Sequence, residues 1–142
     1  MGYAVPEANQ KCYQYDTTNL IVSSDSETHT DSDTYVLAKE FKLRIKIYPY
    51  SVFYYTFQLK SSIALSDAKA QLVINDNVIN TYTENGGYVL QTEKVEGEYY
   101  NPDITKVQLY IRDAAGGANQ AYVKEFRVYA LETPFEITQE SV

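Results

Sequence analysis

The chain has 142 residues, a formal net charge of −7 and a single cysteine, Cys12. This length suits one domain that buries a sufficient core without metal, and one cysteine excludes an internal disulfide. The acidic balance weighs against binding to nucleic acid, so the basic stripe of Lys39, Lys42, Arg44 and Lys46 is predicted to be a solvated strand face. None of the apolar runs in the sequence is long enough to predict a membrane span, and residues 1–15 show no secretory signal pattern.

Tyrosine is unusually frequent, with 15 copies against no tryptophan. Its side chain combines an apolar ring with a polar hydroxyl group, which suits the rim of a core, a subunit interface or a sugar-binding site. The excess therefore predicts surfaces that contact another molecule, without identifying that molecule.

Residues 1–17 form a predicted N-terminal arm, because they lack the periodicity of a strand or helix. Tyr3, Tyr13 and Tyr15 are candidates for contacts with a neighbouring subunit, since exposed aromatic side chains tend to find partners. A frayed chain end is the alternative.

A first strand is predicted at residues 18–22, followed by an entirely polar segment at 23–34. This segment is predicted to be a solvated, mobile loop between strands. Calcium binding is the alternative, although the glycine and the final glutamate of an EF-hand loop are missing. The calcium candidates are Asp25, Glu27, Asp31 and Asp33.

The clearest strand patterns lie at residues 40–47 and 53–59, and they predict a long β-hairpin that turns at 48–51. Apolar side chains occupy every second position in both arms, so one face belongs in the core and the other faces solvent. The predicted core positions are Phe41, Leu43, Ile45, Ile47, Phe53, Tyr55, Phe57 and Leu59.

Five further strands are predicted downstream, at residues 70–74, 78–82, 88–95, 104–112 and 121–131. A tight turn is expected at Asn75 and Asp76, because Asn and Asp tolerate positive φ. Val123 and Phe126 lie three positions apart, which predicts a bulge near Lys124 and Glu125 in the last strand.

About eight strands without an amphipathic helix predict an all-β fold, a single antiparallel β-sandwich over residues 18–131. The jelly roll is the predicted form because the strands are long and evenly spaced, and an immunoglobulin-like sandwich is the alternative. Residues 132–142 are predicted to be a tail or an edge strand, whose Phe135 and Ile137 are further interface candidates.

No catalytic constellation emerges, so the chain is predicted not to be an enzyme. His29 is the only histidine, and Cys12 has no identifiable histidine partner. Glu93, Glu96 and Glu98 supply carboxylates close in sequence, but acids that flank a turn are usually solvated. No zinc site or organic cofactor is predicted either.

Short motifs carry a resemblance to a known family. They are Tyr35-Val36 with Lys39-Glu40-Phe41, Phe57 with Leu59-Lys60-Ser61-Ser62, Ile74-Asn75-Asp76, Val107-Gln108-Leu109-Tyr110-Ile111, and Tyr122-Val123-Lys124-Glu125-Phe126-Arg127-Val128-Tyr129. Together they resemble the jelly-roll module of virion surface proteins, found in tail, fibre, turret and head-decoration proteins of phages and archaeal viruses. The chain departs from that pattern at Asp76, where glycine is expected, and at Lys124-Glu125, where Arg-Asn is usual.

The resemblance implies a non-enzymatic structural protein of a virion surface. Such proteins associate with themselves, often as trimers, and dock on capsid or tail proteins, which would place this chain in the virion.

Two other functions remain open, and both imply an extracellular or cell-surface location. One is a carbohydrate-binding module, since tyrosine rings can stack on sugars. The other is a surface-filament subunit completed by a neighbour's strand. The candidate residues for a sugar platform are Tyr48, Tyr50, Tyr54, Tyr99 and Tyr100.

Overall fold

The computed structural model describes residues 19–43, 52–62, 67–96, 104–114 and 120–131, and only the backbone at 19, 130 and 131. All regular structure in this part of the chain is β. The nine strands are β1 (Asn19–Ser24), β2 (Thr28–Thr30), β3 (Val36–Leu43), β4 (Val52–Ser61), β5 (Ala68–Ile74), β6 (Asn77–Glu84), β7 (Val89–Glu96), β8 (Thr105–Asp113) and β9 (Ala121–Leu131).

Two antiparallel sheets face each other. The first has the order β1-β9-β4-β7, with β2 also paired to β9, and the second has the order β3-β8-β5-β6. Strands from the first half of the chain pair with strands from the second half in reverse order, as β1 with β9, β3 with β8, β4 with β7 and β5 with β6. A long hairpin of four strand pairs wound into two sheets is the jelly roll, so this fold prediction is confirmed.

The predicted hairpin of residues 40–47 with 53–59 is wrong. β3 pairs with β8 in one sheet, whereas β4 pairs with β7 and β9 in the other. The alternating pattern specifies which face of each strand is buried, but it does not specify the partner. In a jelly roll the chain passes between sheets at this point, so two strongly patterned neighbours need not pair.

The core prediction holds where the residues are described. Phe53, Tyr55, Phe57 and Leu59 on β4 are buried, as is Leu43 on β3. Phe41 is half-buried and stacks on Phe126, with ring centroids 5.1 Å apart. Ile45 and Ile47 lie outside the described residues. Complete burial of a ring such as Phe57 stabilises the fold by about 2 kcal/mol.

The predicted bulge is present in β9. Thr56 pairs with Arg127 but Gln58 pairs with Lys124, so Glu125 and Phe126 together stand opposite one residue of β4. Glu125 has a φ of 54°, in the left-handed region that an L-residue rarely adopts. The extra residue shifts the alternation by one, so both halves of β9 direct apolar side chains inward.

The predicted turn between β5 and β6 is confirmed. Asn75 and Asp76 have φ angles of 46° and 69°, and they connect the paired residues Ile74 and Asn77. Two central residues with positive φ define the type I′ turn, whose twist matches that of the flanking strands.

The prediction of a mobile loop over 23–34 needs correction. Thr28–Thr30 forms β2, which pairs with β9 along the same edge as β1. β1 and β2 are thus one edge strand interrupted at Asp25-Ser26-Glu27. The interruption lies beside the bulge, where the Glu125 amide donates to the Asp25 carbonyl oxygen at 3.3 Å. An entirely polar sequence can pair here because an edge strand buries little of its surface.

Several predictions lie outside the described residues. These are the arm at 1–17 with Tyr3, Tyr13 and Tyr15, the tail at 132–142 with Phe135 and Ile137, and four sugar-platform candidates, Tyr48, Tyr50, Tyr99 and Tyr100.

Candidate functional site

A cluster of aromatic and basic side chains lies on the outer face of the five-stranded sheet, at the end where β4 finishes and β9 begins. Lys60 is paired in register with Tyr122, which is paired in turn with His29 on β2. Tyr88 lies beside this row because the next residue, Val89, pairs with Leu59. The two-residue period of the strands directs these side chains outward. Leu59, next to Lys60, and Val123, next to Tyr122, point inward and are fully buried.

The Lys60 side chain lies between two tyrosine rings. Its Nζ is 4.9 Å from the centroid of Tyr88 and 4.7 Å from that of Tyr122. A second ammonium, from Lys124, lies 4.3 Å from the Tyr88 centroid. His29 packs on Tyr122 with a centroid distance of 5.3 Å. Cation–π contacts of this kind hold a long, otherwise mobile lysine side chain in place.

An open cleft of about 380 Å³ adjoins this cluster. The described residues that line it are Lys60, Ser61, Ser62, Gly86, Gly87 and Tyr122. Three chain segments meet there and are joined through their backbones: the Ser61 amide donates to the Gly86 carbonyl at 3.0 Å, and the Ser62 amide donates to the Gln120 carbonyl at 2.9 Å. The Gln120 amide donates to Ser62 Oγ at 2.8 Å. The cleft is therefore preformed and within the size range of small-ligand sites.

Gly86 and Gly87 leave room that the fold does not use. A Cβ atom added at either position would meet nothing within 4 Å, and neither glycine has the positive φ that would exclude a side chain. Neither packing nor backbone conformation therefore explains the two glycines. Their effect is to keep one wall of the cleft bare and to leave backbone groups accessible.

Acidic groups near the cluster are engaged with other partners. The Tyr88 hydroxyl group donates a hydrogen bond to Glu27 Oε2. Burial, and then this hydrogen bond, raise the pKa of Tyr88 above its usual range. Glu125 Oε1 accepts a hydrogen bond of 2.8 Å from Gln58 Nε2 across the bulge. By contrast, Lys60 and Lys124 have no carboxylate within salt-bridge distance among the described residues.

The predicted sugar platform is represented in the described structure by Tyr54 alone. Tyr54 lies on the same outer face, half-buried, with its ring centroid 6.4 Å from that of Tyr129. Lys60, Tyr88 and Tyr122 were not among the site residues predicted from the sequence. The signal that could have indicated them is the run Gly86-Gly87 directly before Tyr88, together with outward aromatic positions on two separate strands.

The four calcium candidates do not converge. No group of three His, Cys, Asp or Glu side chains suited to a metal ion occurs within the described ranges. Both Asp25 carboxylate oxygens accept bonds from Arg127, at 3.0 and 3.2 Å. Ser24 and Ser26, on either side of Asp25, accept hydrogen bonds from the ammonium of Lys39, at 2.9 Å for Ser24 Oγ and 2.6 Å for Ser26 O.

Of the carboxylates considered for catalysis, Glu93 and Glu96 are described, and they lie three positions apart on β7, on opposite faces of the strand. Glu93 accepts hydrogen bonds from the Tyr82 hydroxyl group at 2.7 Å and from Asn80 Nδ2 at 3.0 Å, and so ties β7 to β6 across the side of the sandwich. Burial is the main cause of a raised pKa at Tyr82, followed by the bond to Glu93. Glu96 is exposed, and Glu98 and Cys12 lie outside the described residues. No helix in the described part of the chain could cross a lipid bilayer.

No family model and no curated protein matches the sequence. Solved structures do match the fold. The insecticidal delta-endotoxin Cry8Ea1 of Bacillus thuringiensis aligns with 73% of this chain at 11% identity and a TM-score of 0.55, although the chain spans only 19% of that protein. The CBM36-1 domain of a multidomain xylanase from the hindgut metagenome of Trinervitermes trinervoides aligns with 91% of this chain, over 96% of its own length, at 10% identity and a TM-score of 0.51. At these identities the similarity shows the β-sandwich fold alone.

Proposed function

We propose that this chain is a carbohydrate-binding domain and that the cleft beside Tyr88 and Tyr122 holds the sugar. The observation that carries the proposal is a preformed cleft that joins the Tyr122 ring, two serines and a bare glycine wall, with the Tyr88 ring in the adjoining cluster. Sugars are recognised by aromatic faces together with hydroxyl, ammonium and backbone donors and acceptors, and this cleft presents all of these groups.

The structural comparison supports this proposal at the level of architecture. The xylanase domain named above is a carbohydrate-binding module of almost the same length, and it is matched over nearly its whole chain. Many functions share the jelly-roll fold, so the residues of the cleft carry more weight than the fold does.

The proposed role is binding without catalysis. The described cleft contains no carboxylate, and a glycoside hydrolase of the usual kind needs two of them. An extracellular or cell-surface location, as expected for a protein that meets polysaccharides, forms part of the proposal.

The virion-surface function stays a prediction, as do the trimeric assembly and the docking on capsid or tail proteins. The filament-subunit alternative also stays a prediction. All of them depend on segments outside the described residues. Calcium binding likewise stays a prediction, since the described donors do not assemble a site.

The proposal is tested by applying the full chain to a glycan array and measuring the affinity of each hit by calorimetry. Tyr122→Ala is expected to weaken binding about tenfold, the effect of losing one well-packed aromatic contact. Tyr110→Ala is the matched control, because Tyr110 is also half-buried but lies on β8 in the opposite sheet. An array without hits, or equal losses in both variants, would refute a sugar site at this cleft.

A further inference from the structure

We infer that the cleft recognises a sugar that carries an anionic substituent, a carboxylate or a sulfate ester, through the ammonium of Lys60. This inference rests on the proposed carbohydrate-binding function and specifies its ligand class. Three observations support it: the unneutralised charge of Lys60, the fixed position of its ammonium, and the neutral character of the rest of the described lining.

The first observation is the set of contacts that Lys60 makes. Within the described chain its contacts are the two tyrosine rings, with no carboxylate in salt-bridge range. Two other lysines differ, since Lys39 donates to Ser24 and Ser26, and Lys106 lies 3.7 Å from Asp76. An ammonium has three donors, and aromatic faces do not use them as an oxygen anion would. The Lys60 donors therefore remain available to a ligand.

The second observation is that the tyrosines position the ammonium. Lys60 Nζ lies at similar distances from both ring centroids, 4.9 and 4.7 Å, so it is held between them. Tyr88 is itself fixed by its bond to Glu27, and Tyr122 by its contact with His29. A donor that is already immobilised loses less entropy on binding. The rings thus act here as a clamp for the cation, and the lysine covers part of the surface that a neutral sugar would use for stacking.

The third observation concerns the surrounding charges. Among the described lining residues Lys60 alone is ionic, and the others are Ser61, Ser62, Gly86, Gly87 and Tyr122. The carboxylates of Glu27 and Glu125 accept hydrogen bonds from Tyr88 and Gln58 and do not line the cleft, and a second ammonium, from Lys124, lies 4.3 Å from the Tyr88 centroid. The charge that the described lining itself presents is therefore that of the Lys60 ammonium, which favours an anionic group at this point.

The test measures binding of matched ligand pairs to the full chain by calorimetry. The uronate arm uses tetragalacturonate and tetramannuronate, each beside its carboxyl-reduced neutral form. The sulfate arm uses sulfated and unsulfated forms of a neutral galactose tetrasaccharide. At least one anionic ligand is expected to bind ten times or more tightly than its neutral partner, since a hydrogen bond to a charged group gives about that factor. If the uronate pairs show this difference, the anion is a carboxylate, and if the sulfated pair shows it, the anion is a sulfate ester.

Two substitutions tie the effect to Lys60. Lys60→Gln is expected to remove the preference for the anionic form and to lower its affinity about tenfold. Lys60→Arg is expected to retain part of the preference. Lys69→Gln is the matched control, because it removes an equal charge from a lysine that bonds Thr83 on the other sheet. Circular dichroism confirms that each variant is folded.

The possible outcomes separate this inference from the proposed function. Equal binding of charged and neutral ligands, or a charge preference that survives in Lys60→Gln, overturns the anionic ligand class while leaving sugar binding in place. Failure of every sugar on the array overturns both.

Discussion

Lys39 Nζ lies 2.6 Å from the carbonyl oxygen of Ser26, so an ammonium from the edge of one sheet bridges the break in the edge strand of the other. Only 6% of Lys39 is exposed, and it also donates to Ser24 Oγ. A buried cation of this kind is retained because several oxygens replace its hydration shell. The contact closes the β1 side of the sandwich, as the bond between Tyr82 and Glu93 closes the β7 side.

Replacement of Lys39 by Met preserves the apolar stem and removes these bonds. The free energy of unfolding in urea is expected to fall by about 1 to 3 kcal/mol, because Ser26 O and Ser24 Oγ each lose a hydrogen bond from a charged donor. Lys42→Met, at an exposed position of the same strand, is the control. A Lys39→Met protein as stable as the wild type would contradict a bridging role.

The same residue gives the fold a dependence on alkaline pH. Burial lowers the pKa of Lys39 below its ordinary value of 10.5, and the nearby Asp25 charge opposes part of that effect. Between the two values the unfolded chain binds more protons than the folded one, so stability attributable to this group rises with pH up to about 10.5. Urea unfolding between pH 8 and 10.5 should show this rise in the wild type relative to Lys39→Met.

Asp25 makes the stability of the fold depend on pH at the acidic end of the range. Its hydrogen bonds with Arg127 are the largest cause of a pKa below the ordinary 3.8. The ionised form is thus favoured in the folded state, and its contribution is present above pH 3.8 and disappears as the pH falls through the lower folded value. Asp25→Asn should be less stable than the wild type at pH 7, with a difference that shrinks on acidification. Asp33→Asn is the control at pH 7, because the backbone of Asp33 rather than its side chain bonds Arg112.

The bulge at Glu125 is predicted to be indispensable. Deletion of this residue removes the one-position shift, so Phe126 and Val128 could not face the core together with Val123. The deletion is expected to prevent folding, measured as loss of the cooperative urea transition. Glu125→Gly should fold and be about 1 kcal/mol more stable than Glu125→Ala, because glycine adopts positive φ without strain. A folded deletion variant would disprove the register argument.

A substitution at Asp76 is expected to make the turn, and with it the fold, more stable. Its φ of 69° suits glycine, and Asn-Gly is the preferred pair in a type I′ turn. Asp76→Gly is expected to gain about 0.5 kcal/mol in stability, because the Lys106 contact that it loses is long, at 3.7 Å, and the Asp76 side chain is 85% exposed. Asp76→Ala loses the same contact and keeps the strain, so thermal unfolding should rank it below the glycine variant.

At Gly87, a small side chain is expected to raise stability, and a large one is expected to block ligand binding. Gly87→Ala places a methyl group in open space and restricts the unfolded chain, so stability should rise by about 0.5 kcal/mol. Gly87→Leu should fold equally well but occupy the cleft, and its affinity for any array hit should fall at least as far as that of Tyr122→Ala. Unaltered binding by the leucine variant would exclude this cleft as the sugar site.

The sequence predicts local features of the fold well. Alternation along β4 identifies Phe53, Tyr55, Phe57 and Leu59 as core residues, and the spacing of Val123 and Phe126 indicates the bulge. These features succeed because each depends on a few adjacent residues. Pairing fails for the β3–β4 hairpin, since in a jelly roll most partners are distant in the chain and the pattern of a strand does not name its neighbour.

The candidate site was not predictable for a related reason. Lys60, Gly86 and Tyr122 come from three segments that meet only through the pairing of β4 with β7 and β9. Lys39 was likewise assigned to a solvated stripe with its neighbours. Its burial follows from the break in the opposite edge strand, and nothing in the alternation around residue 39 indicates that break.

The pairing of Asn19 with Ala130 puts the first and last described strands side by side at one end of the five-stranded sheet. The cleft lies at the other end, where β9 begins at Ala121. Nine steps along β9 separate Ala121 from Ala130, which amounts to about 30 Å. The described strands β1 and β9 therefore begin and end, respectively, on the side of the sheet that faces away from the cleft.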